Sequence, residues 1–410
     1  MPVATRFSLL VAAYPTITAA LLFAFRRLQH PFLERLMAPQ APLFMIRPSS
    51  AAHNALAIAS TSSSAAYSSA ATAASASPSA SSSTSFNYLV SSSFHAKNRG
   101  PPRRGKAASS RPDSGEDAFF ISRIRDSESV ALGVVDGVGG WNEIGIDATE
   151  FSHSLAESMA DLASRLATTG SQEEYASSIV SKFSFPPLVL LDAAYNAIKA
   201  GGRVKAGGST ASVGVAHANG TLQAANLGDS GFFIFRDGHI HYMSDPQTHF
   251  FNAPYQLAII PQRILEQNAR FGGKNFDDKP SDANLSTHKL RHGDVVIFVT
   301  DGVLDNVSPA DCLRIVCEEM IRAGNWIVDR RSGDINALSN DLPYSGVETL
   351  AKRLVQTAFK ASTDPKTDGP FAREAQRQMK VLYRGGKPDD ITAVVMFVQQ
   401  PIAPKPQEKL

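Results

Sequence analysis

Apolar and polar positions alternate along residues 86–400 in patterns that predict a folded domain of strands and helices. Short apolar runs rich in β-branched residues predict buried strands, because such runs leave no polar face for water. Strands are predicted at residues 130–135, Ala211–Ala216, Thr221–Leu227, Gly231–Arg236, His239–Met243, 294–300 and 391–398. Asn219-Gly220 and Asp237-Gly238 separate neighbouring strands by two residues, which predicts tight hairpins and antiparallel pairing.

Apolar residues at helical spacing predict four helices. The first follows a capping box formed by Asp147 and Glu150 and is closed by Gly170. The others are predicted at residues 186–200, 308–324 and 347–361. Residues 325–345 are predicted to be a loop insertion. Helices combined with antiparallel strands predict an α+β fold, in which a central antiparallel β-sandwich is flanked by helical layers.

Residues 1–48 have the composition of a mitochondrial transit segment, with basic residues spread through an apolar stretch that holds a single acid, Glu34. The basic residues include Arg6, Arg26, Arg27 and Arg35. Residues 9–25 are apolar, but Pro15 interrupts them and they are shorter than the roughly 20 residues that a membrane-spanning helix needs. Import into the matrix is therefore predicted, and an inner-membrane anchor at residues 9–25 is the minor alternative.

Residues 49–85 are predicted to be a disordered linker. Residues 49–93 hold 18 Ser and 13 Ala in 45 positions, so they cannot bury enough apolar surface to offset the entropy of ordering. The folded domain is accordingly assigned to residues 86–400, and residues 401–410 are assigned to a tail.

Charge and cysteine content limit the possible partners and the compartment. Residues 1–112 contain 11 Lys and Arg and one acid, whereas the remaining 298 residues contain 29 basic and 37 acidic residues. The folded part is thus acidic, which argues against a nucleic-acid partner. Cys312 and Cys317 lie five positions apart on one predicted helix and point in different directions, so no disulfide is expected.

Acidic residues stand at the ends of apolar runs. Asp136 and Asp301 follow two predicted strands, Asp389 precedes a third, and Glu116 precedes the run Ala118-Phe119-Phe120. Two of them begin Asp-Gly steps directly after apolar runs, in VVDGVGG and VTDGVLD. Acids at the rims of buried strands can converge in one cleft, where they repel one another unless a cation neutralises them. The motifs contain no His or Cys, and an all-oxygen ligand set favours Mg²⁺ or Mn²⁺. The similar step Asp237-Gly238 is predicted to be a plain turn.

Six segments follow one another along the chain: GEDAFF, VVDGVGGW, GGSTASVGV, ANLGDSGFF, VTDGVLDN and GKPDDITAVV. In this order they resemble the motifs of the metal-dependent protein phosphatase family, also called PPM or type 2C. The DGVGGW form and the GGKPDDIT ending are most similar to the mitochondrial branch of that family. The resemblance implies a central β-sandwich between helical layers, with a cleft at one end that binds two Mg²⁺ or Mn²⁺ ions and a weaker third.

The resemblance also implies roles for the residues of the motifs. Asp136 would bridge two metal ions, Glu116 and the carbonyl group of Gly137 would hold one of them, and Asp301 and Asp389 would hold the other. Asp136, Asp301 and Asp389 would therefore be catalytic through the water that the metals activate.

Four more acids match positions around this centre in the family. Asp229 and Asp305 would support the weaker third metal ion. Asp117 and Asp390 would orient ligands or waters.

Two positions depart from the family pattern. Val138 stands where many members have a His that protonates the leaving group, and Pro112 stands where relatives have an Arg that grips phosphate. Arg111 is a possible substitute for that Arg. A missing general acid is expected to slow turnover by about 10²–10⁴-fold.

Three further side chains near the motifs are predicted to be structural. His153 is expected on a solvent-facing turn of its helix, and His249 on the surface or in packing, with a place in the cleft as its alternative. Trp141 is expected to anchor the loop that follows the glycine pair.

The sequence therefore predicts a hydrolase that removes phosphate from phosphoserine and phosphothreonine of mitochondrial proteins, without a phosphoenzyme. Two alternatives stay open: a catalytically weak binding or scaffold protein on the same fold, and a hydrolase of small phosphoesters. The sequence does not determine the substrate or the oligomeric state.

Overall fold

The computed structural model describes residues 85–97, 111–124, 127–165, 186–338 and 344–400. The predicted transit segment, nearly all of the predicted linker, Gly170 and the predicted tail lie outside these residues. The chain divides into two units, residues 1–61 with 261–275 and residues 62–260 with 276–410. The described part of the first unit is one helix, Gln262–Phe271, and its flanking turns. All other described elements belong to the second unit.

Two five-stranded antiparallel sheets form the centre of the second unit. The first sheet contains, in spatial order, β1 (Asn87–His95), β16 (Ile391–Gln399), β13 (Val295–Val299), β7 (Gly231–Arg236) and β8 (His239–Met243). The second contains β12 (Asn284–Lys289), β6 (Thr221–Leu227), β5 (Ala211–Ala216), β3 (Val130–Asp136) and β2 (Asp117–Arg123). Three short pairs complete the strands: β4 (Gly207–Ser209) with β11 (Leu257–Ile259), β9 (Thr248–Phe250) with β10 (Ala253–Pro254), and β14 (Trp326–Val328) with β15 (Ile335–Ala337).

Seven α-helices and two 3₁₀ helices are present among the described residues. The α-helices are α1 (Ala148–Arg165), α2 (Pro186–Gly201), α3 (Gln262–Phe271), α4 (Asp301–Leu304), α5 (Pro309–Arg322), α6 (Tyr344–Ser362) and α7 (Pro370–Met379). The 3₁₀ helices are Gly139–Ile144 and Pro280–Asp282. Among the described residues, none of these helices has the length and apolar character needed to cross a membrane.

The apolar core lies in three layers because both faces of each sheet are covered. Successive residues of β16 show this: Val394 and Met396 pack between the sheets, whereas Val395 and Phe397 pack against the helices beside the first sheet. Helices α5 and α6 cover that outer face, and α1 and α2 cover the outer face of the second sheet. The structure thus confirms the predicted α+β fold with a β-sandwich between helical layers.

Most predicted elements of the second unit are present, with ends that match the prediction or are shifted by up to three residues. The prediction of a loop insertion at residues 325–345 was wrong in its first part, because β14 and β15 form a hairpin there. Trp326 is fully buried in this hairpin, and its Nε1 donates a hydrogen bond to the carbonyl oxygen of Gly293 at 3.0 Å. The two cysteines, both on α5, are unpaired as predicted.

Candidate active site

The two sheets bring acidic residues together at one end of the sandwich. In the second sheet, Asp117 at the start of β2 lies opposite Asp136 at the end of β3. In the first sheet, Thr300 follows β13 and its hydroxyl donates a hydrogen bond to Asp117 Oδ2 at 2.8 Å. Asp301 comes next and begins α4. The strand ends of both sheets therefore meet around Asp117, Asp136 and Asp301. We call this end of the sandwich, with the acids that lie there, the acid end.

Asp390 fixes the backbone around Glu116. Its Oδ2 accepts a hydrogen bond from the Glu116 backbone N–H at 2.8 Å, and its Oδ1 accepts one from the Lys97 backbone N–H at 2.7 Å. These bonds hold the chain before β2 and the chain after β1 against the start of β16. Gly115 allows this approach, because it has a φ of 76° and a Cβ there would lie 2.2 Å from Asp390 Oδ1.

Two lysines that the sequence analysis did not single out stand among the acids. Lys97 Nζ lies 3.0 Å from Glu116 Oε2 and 3.1 Å from Asp389 Oδ1. Lys387 Nζ contacts Asp301 Oδ2 at 2.7 Å, Asp305 Oδ2 at 2.5 Å and Asp389 Oδ2 at 3.1 Å. Asp389 is thus shared between the two ammonium groups.

Burial raises the pKa of most carboxyl groups at the acid end. It is the first cause of the raised pKa of Asp136 and of Asp117, with neighbouring carboxylates as the second. Burial also raises the pKa of Asp305 to about 7, although Lys387 opposes it. Asp301 differs: burial acts to raise its pKa, but the charge and hydrogen bond of Lys387 outweigh burial and lower it. The cluster therefore holds more acid than its lysines neutralise, which favours binding of further cations.

A cavity of about 490 Å³ opens beside these acids. Its lining includes Asp229, Asp301 and Asp305, together with Phe251 and Phe371. The two residues predicted to support a third metal ion, Asp229 and Asp305, therefore line the same cavity as Asp301. Burial is the first cause of the raised pKa of Asp229, and the Asp301 carboxylate is the second.

Both Asp-Gly steps at the acid end require glycine for a close backbone approach. A Cβ at Gly302 would lie 1.9 Å from the Asp390 carbonyl oxygen. A Cβ at Gly137 would lie 2.8 Å from the carbonyl oxygen of Glu116, which accepts a hydrogen bond from the Gly137 N–H at 3.1 Å. The glycines thus let neighbouring strand ends pack closely enough to gather their acids.

The two departures from the family pattern lie beside Arg111 and at Val138. Arg111 is paired with two acids of α1, Glu150 at 3.1 Å and Glu157 at 2.6 Å. Neither acid is a predicted metal ligand, so the guanidinium group is held by α1. Position 138 carries Val, whose backbone N–H donates to the Gly208 carbonyl at 3.0 Å.

The prediction of a solvent-facing His153 was wrong. Its side chain is buried and its Nε2 lies 3.1 Å from the carbonyl oxygen of Gly115, because α1 packs this face against the start of β2. Burial lowers its pKa.

His249 and Trp141 have the packing roles that were expected. His249 pairs with Asp278 at 3.0 Å and stacks on Tyr255 at a centroid distance of 4.3 Å. Trp141 Nε1 donates a hydrogen bond to Gln256 Oε1 at 3.0 Å, which anchors the 3₁₀ helix Gly139–Ile144.

The arrangement of the acids bears on metal binding. In the part of the chain that the structure describes, no three His, Cys, Asp or Glu side chains are placed to hold a metal ion as they stand. Instead, the ammonium groups of Lys97 and Lys387 each bridge several carboxylates. Asp117 Oδ1 is buried and has no hydrogen-bond partner among the described residues, so a fully buried acceptor at this end lacks a donor.

Comparisons with known proteins identify the family. Residues 104–326 match the family model described as protein phosphatase 2C. The Saccharomyces cerevisiae mitochondrial protein phosphatase 2C homolog 7 is 34% identical over 314 residues, which cover 76% of this chain and 83% of that protein. The Drosophila willistoni protein phosphatase PTC7 homolog fig is 34% identical over 306 residues, covering 74% and 84%. The X-ray structure of the photosystem II phosphatase PBCP has a similar fold, with a TM-score of 0.51 at 22% identity, covering 76% of this chain and 98% of that one.

The chain therefore belongs to the protein phosphatase 2C family. As a member of that family it is a metal-dependent protein serine/threonine phosphatase, and its substrates are phosphoproteins.

Proposed function

We propose that the chain removes phosphate from phosphoserine and phosphothreonine of mitochondrial proteins by direct attack of water, without a phosphoenzyme. The observation that carries the proposal is the meeting of acids from both sheets at the acid end, around two positions already taken by cationic groups. Two bound divalent cations would supply an activated water and neutralise the phosphoryl oxygens.

The chain's own donors suit Mg²⁺ or Mn²⁺, because they are carboxylate and carbonyl oxygens. We assign Glu116, Asp136 and the Gly137 carbonyl to one metal ion, and Asp136, Asp301 and Asp389 to the other. Asp117 Oδ1, which has no hydrogen-bond partner within the described ranges, and the number of acids gathered here both support a site for added positive charge.

A weaker third metal ion is proposed between Asp229 and Asp305. Support comes from their shared position with Asp301 on the wall of one cavity.

The remaining residues of the acid end orient this centre. Asp390 accepts from the backbone N–H of Glu116 and so positions that carboxylate beside Asp389. Thr300 donates to Asp117 and links the two sheets directly behind Asp301. Outer contacts of this kind fix the direction of predicted metal ligands. With Val at position 138, no side chain there can protonate the leaving oxygen, so slow turnover is expected.

The location rests on two observations. Residues 1–48 have a transit-like composition, and the similar Saccharomyces cerevisiae protein is named as mitochondrial. We propose that residues 1–48 direct import into the matrix. After them come a linker at residues 49–85, a phosphatase domain at residues 86–400 and a tail at residues 401–410. Anchoring through residues 9–25 stays the minor alternative.

The test is phosphate release from a phosphothreonine peptide by the full chain, with and without Mn²⁺. Asp136→Asn should abolish Mn²⁺-dependent release. Asp237→Asn is the matched control, because Asp237 precedes a glycine in the same way but lies in the hairpin between β7 and β8. Release that persists without metal, or in Asp136→Asn, would contradict the proposal. Faster release from a small phosphate ester than from any phosphopeptide would instead favour the small-molecule alternative.

A further inference from the structure

The function proposed above gives Lys97 and Lys387 no chemical role, yet every acid that they contact most closely is a predicted metal ligand. Lys97 contacts Glu116 and Asp389, and Lys387 contacts Asp301, Asp305 and Asp389. An ammonium group and a divalent cation seek the same carboxylate oxygens, and they repel each other at close range.

We propose that Lys97 and Lys387 are built-in counter-ions that compete with divalent cations for these carboxylates and so lower the affinity of the metal centre. This inference rests on the proposed function, because it takes the same acids as metal ligands. While the metals are not bound, the two ammonium groups hold together acids that would otherwise repel one another.

The backbone places Lys387 firmly in this position. Its N–H donates to Asn306 Oδ1 at 2.8 Å, and its carbonyl oxygen accepts from Asn306 Nδ2 at 2.9 Å. Its Nζ also lies 5.0 Å from the centre of the Phe371 ring, a geometry that attracts a cation. The Lys387 side chain is 16% exposed, so water screens its ion pairs only weakly.

Lys97 is anchored in a similar way but is more open. Its backbone N–H donates to Asp390 Oδ1 at 2.7 Å, and the same carboxyl group holds Glu116. Its side chain is 26% exposed, and its ion pairs with Glu116, Asp389 and Asp390 are 3.0, 3.1 and 3.7 Å long, whereas the three ion pairs of Lys387 are all 3.1 Å or shorter. We therefore expect Lys387 to compete more strongly than Lys97.

The experiment measures Mn²⁺ affinity of the full chain by electron paramagnetic resonance, which requires no turnover. Lys387→Met and Lys97→Met keep an apolar stem and remove the charge. Lys352→Met is the matched control, because Lys352 pairs with Glu348 on α6, at 2.5 Å and away from the acid end. We expect Lys387→Met to bind Mn²⁺ roughly tenfold more tightly than wild type, Lys97→Met about threefold more tightly, and the control about equally.

A second readout is the unfolding temperature in chelator and in saturating Mn²⁺. Without its counter-ion, Lys387→Met should unfold several degrees below wild type in chelator, and Mn²⁺ should raise its unfolding temperature more than that of wild type. If Lys387→Met does not fold, the comparison of Lys97→Met with the charge-retaining Lys97→Arg carries the test. Lys97→Arg should keep wild-type affinity.

The outcomes separate this inference from the proposed function. Unchanged or weaker Mn²⁺ affinity in the Met variants would show that the lysines only order the site, and would overturn the inference while leaving metal-dependent hydrolysis intact. Mn²⁺ binding by none of the proteins would overturn both.

Discussion

The two ends of the first sheet both bury acidic residues, but they balance the charge differently. At one end, Asp294 lies just before β13 and forms two hydrogen bonds with Arg236, at 2.8 and 2.7 Å. At the other end, Asp301 lies just after β13 and shares the ammonium group of Lys387 with Asp305 and Asp389. One acid therefore has its own cation, whereas three acids share another.

This difference distinguishes a structural ion pair from a candidate metal site. Asp294 also accepts a hydrogen bond from the backbone N–H of Arg291 at 2.7 Å, so both of its oxygens are hydrogen-bonded. At the acid end, Asp117 keeps a buried oxygen without a described partner, and burial raises the pKa of several acids. A surplus of buried acid is costly unless a cation binds, so charge balance indicates function more directly than burial does.

The largest expected effect comes from exchanging the two acids for amides and measuring turnover. Asp301→Asn should lower Mn²⁺-dependent phosphate release by at least about 10³-fold, because the predicted ligand loses its charge. Asp294→Asn should keep turnover within about threefold at a temperature where circular dichroism shows it folded. Equal losses in the two variants would remove the functional distinction between the ends.

The free energy of unfolding in chelator should rank the two variants in the opposite order, with the larger loss in Asp294→Asn. Asp294→Asn leaves the largely buried Arg236 without its charged partner and should lower the free energy of unfolding by about 3 kcal/mol. Asp301→Asn removes the favourable ion pair with Lys387, which keeps Asp305 and Asp389, but it also removes one acid from a crowded cluster. The two effects should largely cancel, so that free energy should change by less than about 1 kcal/mol. Urea unfolding of both variants in chelator measures the difference. A larger loss for Asp301→Asn would mean that the acid end is balanced as it stands.

The fold was predictable because strands buried on both faces are apolar throughout. β13 and the last strand, β16, were predicted from that pattern, and no end differs from the structure by more than one residue. The hairpin of β14 and β15 was missed because each strand has three residues, which is too short for a periodicity. Its position depends on burial of Trp326, a tertiary contact that local sequence does not reveal.

The acids of the candidate site were predicted from the sequence, whereas its two lysines were not. Asp136 ends a strand, Asp301 comes shortly after one, and both belong to recognisable sequence motifs. Lys97 reaches Glu116 only because β1 pairs with β16. Lys387 could have been noticed, since it lies two positions before Asp389 in the GKPDD motif. The sequence shows that Lys387 is close to Asp389 along the chain, but it does not show in which direction the Lys387 side chain points.

The smallest expected effect concerns a buried base at the acid end, His153. Its Nε2 faces the carbonyl oxygen of Gly115, which only accepts, so the neutral ring donates from Nε2. Burial lowers the pKa of His153 in the folded state. The unfolded chain therefore binds this proton near pH 6.5, whereas the folded chain binds it only at lower pH. The stability that depends on the neutral ring is present above about pH 6.5 and is lost as the pH falls below it.

Replacing His153 by Gln, a neutral hydrogen-bond donor, tests this difference in protonation between the folded and the unfolded chain. In His153→Gln, the free energy of unfolding should fall less between pH 7 and pH 5 than in wild type, by up to about 1 kcal/mol. Urea unfolding at both pH values, in chelator, isolates the effect because the acids of the cluster titrate in both proteins. Identical pH dependence in the two proteins would show that the pKa of His153 is the same in the folded and the unfolded chain. A smaller fall in wild type than in His153→Gln would show that the folded chain holds the proton more tightly, so that the acid end contains a third positive charge and its surplus of acid is smaller than the comparison with Asp294 and Arg236 implies.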